Sequence, residues 1–268
     1  RSDVPVGAGL SSSAAIECAV GTALNELWQS GLSKQQLAKA GQLGENQIVG
    51  APTGIMDQTA SIFGAVDNAV FIDCRSLEIE NVPLGFAENN LELLVIDTRV
   101  AHRLVDGGYA ERRAACERAA AAFGVSSLRD LSEADLPKAK EFLDDVTYRR
   151  MKHVITENQR VLDTVALLKT QGPKAIGELL LASHASMRDD FEISVEELDV
   201  AVETAMANGA IGARMTGGGF GGAAIALIPK QSAVAIEAAI KQEFAGRNFV
   251  EPNVFVVTAS QGAGRENY

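Results

Sequence analysis

Two stretches of this 268-residue chain strip the backbone of side chains where it could grip something. The first, "PVGAGLSSSAA" at 5–15, sets Gly7, Gly9, Leu10, Ser11, Ser12 and Ser13 just ahead of an apolar helical pattern. Small residues leave backbone N–H groups accessible, and a helix starting behind them adds the positive end of its dipole, which is the chemistry of an anion site. The second, "TGGGFGG" at 216–222, holds Gly217, Gly218 and Gly219. Taken singly, each has a plainer reading: a turn with an N-cap for the first, a tight turn or close backbone crossing for the second. Between them, in "GAPTGIMDQTASIFG" at 50–64, Asp57 stands among small and apolar residues. A carboxylate in that setting is a proton acceptor or a helix cap.

Known phosphate loops narrow the choice. A Walker A loop needs a lysine after its last glycine, and a dinucleotide fingerprint needs a third glycine and an acid about 20 residues on. The first stretch has neither. "TGGGFGG" contains GxGxxG formally, but "AAIALI" behind it reads as a strand where that fingerprint requires a helix. "HRL" at His102 and "DDF" at Asp189 lack the companions of protein-kinase motifs.

The elements that position these residues follow from periodicity. Ile16, Val20, Ala23, Leu24, Leu27 and Trp28 recur at helical steps opposite Glu17, Asn25, Glu26 and Gln29, giving an amphipathic helix closed near Gly31. A second helix starts at Ser33 and runs through Leu37, Ala40 and Leu43 towards Glu45. "AVFIDC" at 69–74 and "LELLVIDT" at 91–98 read as strands. Helical patterns cover 109–123, 147–169, 174–188 and 194–207, the last with a capping-box signature in Ser194 and Glu197. "GARMT", "AAIALI" and "NVFVVTA" read as strands around a helix at 232–244. The class is α+β, with a boundary near residue 88.

Composition sets the limits. A net charge of −11 opposes the broad basic surface that nucleic acid requires, so any phosphate is held locally. No apolar run reaches the roughly 20 residues of a membrane span. Cys18, Cys74 and Cys116 show no metal or disulfide spacing, suit a reducing cytoplasm and read as small buried hydrophobes. His102, His153 and His184 show no metal spacing either.

Together, "PVGAGLSSSAA", "GIMDQ" and "RMTGGGFGG" resemble the GHMP small-molecule kinases. "HRLVDGGYAERRAACE" and "SQGA" narrow the resemblance to the galactokinase family within them. The resemblance runs through essentially the whole chain. It implies a two-domain GHMP kinase fold, divided as 1–88 (the remainder of an N-terminal domain) and 89–268 (a C-terminal domain), with MgATP and galactose or a related sugar in the cleft. It implies that Gly7, Gly9, Leu10, Ser11, Ser12 and Ser13 form the phosphate loop, that Gly217, Gly218 and Gly219 close the cleft, and that Ser13 and Glu45 hold Mg2+. It makes Asp57 the catalytic aspartate acting on the C1 hydroxyl, with Gly54, Asp57 and Tyr109 contacting the sugar. Without it, Glu45 reads as a solvated helix residue and Tyr109 as a core aromatic.

One departure stands out. Galactokinases carry, ahead of the phosphate loop, a segment of the type GRVNLIGEHTDYN that supplies most sugar contacts, and no counterpart occurs in these residues. The expectation is that the N-terminal domain is incomplete and that these 268 residues alone phosphorylate galactose negligibly. Two alternatives stay open: another GHMP sugar kinase, such as an N-acetylgalactosamine kinase, and a non-catalytic galactose/ATP-binding sensor on the same fold.

Overall fold

The structure, a computed structural model, describes residues 4, 9–50, 53–100 and 105–266. Three helices open the chain: α1 (Ser12–Leu27), α2 (Lys34–Gly44) and α3 (Met56–Phe63). Ser33 caps α2 through a capping box with Gln36, and the helix runs on into a π turn, Glu45–Val49, that ends at Gly50 with φ 81°. A hairpin of β1 (Asn68–Ile72) and β2 (Ile79–Pro83) follows. Its second strand carries no alternating apolar pattern, only a single buried Val82, and escapes sequence reading.

After β3 (Leu91–Asp97) come α4 (Val105–Phe123), the short α5 (Leu136–Phe142), α6 (Asp145–Gln171), α7 (Gly177–Ser186) and α8 (Glu196–Ala207). The chain closes with β4 (Gly212–Thr216), β5 (Ala223–Pro229), α9 (Ala233–Gly246) and β6 (Asn253–Val257). The sheet is antiparallel in the order β4-β5-β3-β6. Both faces are covered, which is why its strands read as apolar runs. Leu94, Ile96, Ala224, Ala226 and Ile228 pack with Leu198, Val202, Ile236, Ile240 and Phe244 of α8 and α9. Leu91 and Leu227 meet Ile176, Leu168 and Leu180 near α6 and α7 on the other side. The tail then returns to the opening helices: Gly262 N–H donates to Gly64 O at 2.8 Å and Ala263 N–H to Ser61 O at 2.8 Å.

Three expectations are corrected. α1 buries its small side, Ala14 and Cys18, while Ile16 and Val20 are half exposed and Leu27 and Trp28 largely so. Small residues let α1 approach α2 and α3 closely, as Gly21 does beside Leu37. The Ser194–Glu197 capping box does not form: α8 starts after Val195, and Ser194 Oγ donates to Asp199 Oδ1 at 2.5 Å, a better partner because it is charged. Cys74 is exposed in the turn after β1; Cys18 is buried and Cys116 half-buried.

His153 is buried, lies 3.0 Å from Ser186 Oγ and stacks on Phe191. Burial, with Arg160 and Arg214 nearby, pushes its pKa down to about 4 from 6.5, against the pull of Glu157 and Asp190. The unfolded chain therefore takes up this proton first as pH falls, and stability is lost between about pH 6.5 and 4, at most about 3 kcal/mol from this group. Denaturant titrations at the two ends of that window should show a smaller acid loss in His153→Gln than in the parent; equal losses would remove His153 as the cause.

Candidate active site

The phosphate-loop expectation rests on α1. Ser11, its N-cap residue, sits in the left-handed region at φ 55°, ψ 47°, and its side chain makes no capping bond. A non-glycine residue held there costs on the order of 1 kcal/mol. Gly9 is also left-handed at φ 69°. No acidic residue stands in the first turn of α1, so nothing on the helix competes with an anion for its N–H groups. Gly7 lies outside the described residues.

Tertiary folding brings the second glycine run to the first. Gly217, at φ 80°, lies against Gly9: a Cβ on it would stand 3.1 Å from the Gly9 carbonyl oxygen and 3.7 Å from its Cα. Gly218 is exposed and a Cβ there would meet only open space. Gly219 is buried at φ 84°, where a Cβ would be 2.4 Å from Ile193 O, and the next residue, Phe220, donates its N–H to that same oxygen at 2.7 Å. The Phe220 ring in turn lies under Arg112 and against Gly108, whose Cβ would be 2.7 Å from the ring edge. The start of α4 is thereby joined to the glycine run. Tyr109 belongs to α4, but its side chain lies outside the described residues.

Asp57 is in the first turn of α3, half-buried, and the N-cap residue there, Ile55, has no capping side chain. Among the described residues its carboxylate has no hydrogen-bond or ion-pair partner, so the capping role considered from sequence is not taken up. Gly54 is exposed and faces open space.

Glu45 starts the π turn after α2 and is buried, which corrects the plainer reading of a solvated helix residue. Its Oε2 has no hydrogen-bond partner among the described residues. Sequence reading missed Glu17 and Gln58. Gln58 Nε2 donates to Glu17 Oε2 at 3.0 Å. Burial pushes the Glu17 carboxyl above its ordinary value, the Gln58 bond opposes this, and the adjoining Glu45 carboxyl adds to it. Ser13 is exposed one helical turn before Glu17. No cluster of three or more His, Cys, Asp or Glu able to hold a metal occurs among the described residues.

The chain matches the family model for the GHMP kinases N terminal domain over residues 1–65 and the GHMP kinases C terminal model over residues 164–246. It is 49% identical over 266 residues to a galactokinase of Streptomyces coelicolor, covering 98% of this chain and 69% of that protein. The chain belongs to the galactokinase family. A galactokinase of Mycobacterium bovis is 44% identical over 262 residues, with 98% of this chain and 72% of the relative covered. The crystal structure of Lactococcus lactis galactokinase, determined with galactose bound, superposes with a TM-score of 0.92 at 33% identity, over 97% of this chain and 68% of that one. L. major mevalonate kinase, determined in complex with R-mevalonate, shares the fold at a TM-score of 0.59 and 21% identity, over 94% of this chain and 66% of that one. The protein is thus a sugar kinase of the GHMP fold, and members of its galactokinase family use ATP as the phosphoryl donor. No helix among the described residues is long and apolar enough to cross a membrane.

Proposed function

We propose that this protein transfers the γ-phosphoryl group of ATP to the C1 hydroxyl of galactose, as a cytoplasmic enzyme built from domains at 1–88 and 89–268. The observation that carries the reading is the contact of Gly217 with Gly9, which joins the two glycine runs beside the open N-terminus of α1.

In this reading Gly7, Gly9, Leu10, Ser11, Ser12 and Ser13 hold the phosphates through backbone N–H groups, and Gly217, Gly218 and Gly219 border them from the other side. The absence of a side chain at these positions lets the backbone approach the anion, and the uncapped helix end offsets part of its charge without a basic patch. Asp57 accepts or orients the proton of the C1 hydroxyl, its carboxylate being uncommitted to other described groups. Gly54 and Tyr109 face the sugar.

Ser13 and Glu45 are the oxygen ligands we assign to Mg2+. The orphaned, buried Glu45 Oε2 fits such a cation, since a hard divalent ion supplies the partner the protein lacks. When bound, Mg2+ neutralises the charge that develops on the transferred phosphoryl group. Ser13→Ala combined with Glu45→Gln should raise the Mg2+ concentration for half-maximal turnover at least about tenfold, as expected for loss of ligands. A Mg2+ titration identical to the parent's would remove these two residues from the cation site.

ADP release by the protein with a panel of sugars tests the reading. Galactose should be the best acceptor. Preference for N-acetylgalactosamine would overturn the substrate, and nucleotide binding with no transfer to any sugar would overturn catalysis.

A further inference from the structure

The Glu17–Gln58 hydrogen bond spans the two helices that matter most for the proposed chemistry. Glu17 follows Ser13 by one turn of α1, and Gln58 is the residue after Asp57 in α3. Gln58 is only 2% exposed, and its backbone carbonyl also accepts a weak bond from Cys18 Sγ at 3.7 Å. The rest of this small core is Cys18, Leu37, Ala38 and Ile62, with Ile55, Phe63 and Ala263 packed against it, so Glu17 and Gln58 supply its polar, directional contact.

Helix α2 is shaped to admit the pair. A Cβ on Gly41 would stand 3.0 Å from Gln58 Cγ and 3.4 Å from Glu17 Oε2, tight enough that the pair would have to give way. A glycine inside a helix costs roughly 1 kcal/mol relative to alanine. The Gln58 Oε1 and Glu45 Oε2 atoms nevertheless lack hydrogen-bond partners among the described residues. Buried polar groups with orphaned atoms lower stability compared with apolar packing, so stability alone does not account for this arrangement.

We infer that Glu17 and Gln58 are positioning residues, whose hydrogen bond sets the helix bearing Asp57 against the helix that opens with the phosphate loop. This rests on the role proposed for Asp57. The effect is large because a misplacement of about 1 Å costs up to about 10²-fold in rate.

The test compares Glu17→Ala, Gln58→Leu, their combination, and the exchange of Glu17→Gln with Gln58→Glu, which rebuilds the bond in the opposite sense. Turnover and KM for sugar and nucleotide, melting temperature, and hydrogen exchange at residues 56–60 are measured for each. Each single variant should lower kcat about tenfold or more with both KM values within about threefold, the double should be no worse than a single, and the exchange should recover most of kcat. Exchange at 56–60 should quicken in the single variants. A folded single variant with kcat within twofold of the parent, additive losses in the double, or failure of the exchanged pair to recover would overturn the inference. A parent inactive on every sugar would overturn the proposed function instead, and the hydrogen exchange would still decide the bond's role: rates at 56–60 unchanged from the parent would overturn it.

Discussion

Asp57→Asn should lower turnover at least about 10²-fold while leaving nucleotide affinity within about threefold. The substitution changes one oxygen to an amide nitrogen, so volume and the helical first turn persist, but the group loses its ability to accept a proton. The side chain has no hydrogen-bond or ion-pair partner among the described residues, and little of the fold depends on it. In the proposed reading the phosphates are held at the start of α1 and beside Gly217, not by this carboxylate, which is why binding and turnover separate. In kinetic terms the loss falls on an interaction made in the transition state. Single-turnover rates with calorimetric nucleotide binding make the comparison. Turnover near the parent's would place the proton elsewhere.

Gly177→Ala should be the most destabilising of the single changes considered. A Cβ there would lie 2.1 Å from Ile211 O, and one on Gly212 would lie 2.5 Å from Gly177 O. Two backbones cross where α7 begins and β4 begins, and neither listener to the clash is a side chain able to rotate away. Overpacking of this kind costs about 3 kcal/mol or more, equivalent to roughly 6–12 °C in melting temperature for a chain of this size class. Because β4 runs through Thr216 into Gly217, and Gly217 abuts Gly9, the displacement should also reach the proposed phosphate loop and lower turnover in the surviving folded fraction. Gly218→Ala is the control: its Cβ enters open space, so its melting temperature should stay within about 2 °C of the parent. Thermal denaturation of both variants checks the pair, and an unshifted Gly177→Ala would show that the crossing yields at little cost.

How far the sequence reaches depends on the range of the force involved. Strands β1, β3, β4, β5 and β6 and most of the helices follow from local periodicity and β-branched content, because burial acts on the same face of each segment. The hairpin partner β2 does not, since its pairing with β1 comes from backbone bonds to a neighbour and its side chains are mostly exposed. The Ser194–Glu197 motif was legible as a cap, yet a competing acceptor on Asp199 draws the serine away.

The same division runs through the candidate site. Sequence alone named its proposed parts: two glycine-rich stretches and an aspartate between them from residue chemistry, because glycine's backbone freedom and a carboxylate's chemistry belong to the residue, and Glu45 through the family resemblance. It also determined the family, through motifs spread along the chain. Which parts meet was decided only in three dimensions. That Gly217 touches Gly9, that Glu45 is buried with an orphaned oxygen, and that Glu17 and Gln58 bond across α1 and α3 all depend on contacts between distant segments. The side of α1 that is buried was decided there too: helical periodicity marked Ile16, Val20, Leu27 and Trp28, but close packing against α2 and α3 admits only the small side, Ala14, Cys18 and Gly21. Steric fit between helices selects by size at short distance, and a one-dimensional hydrophobic pattern carries no record of it.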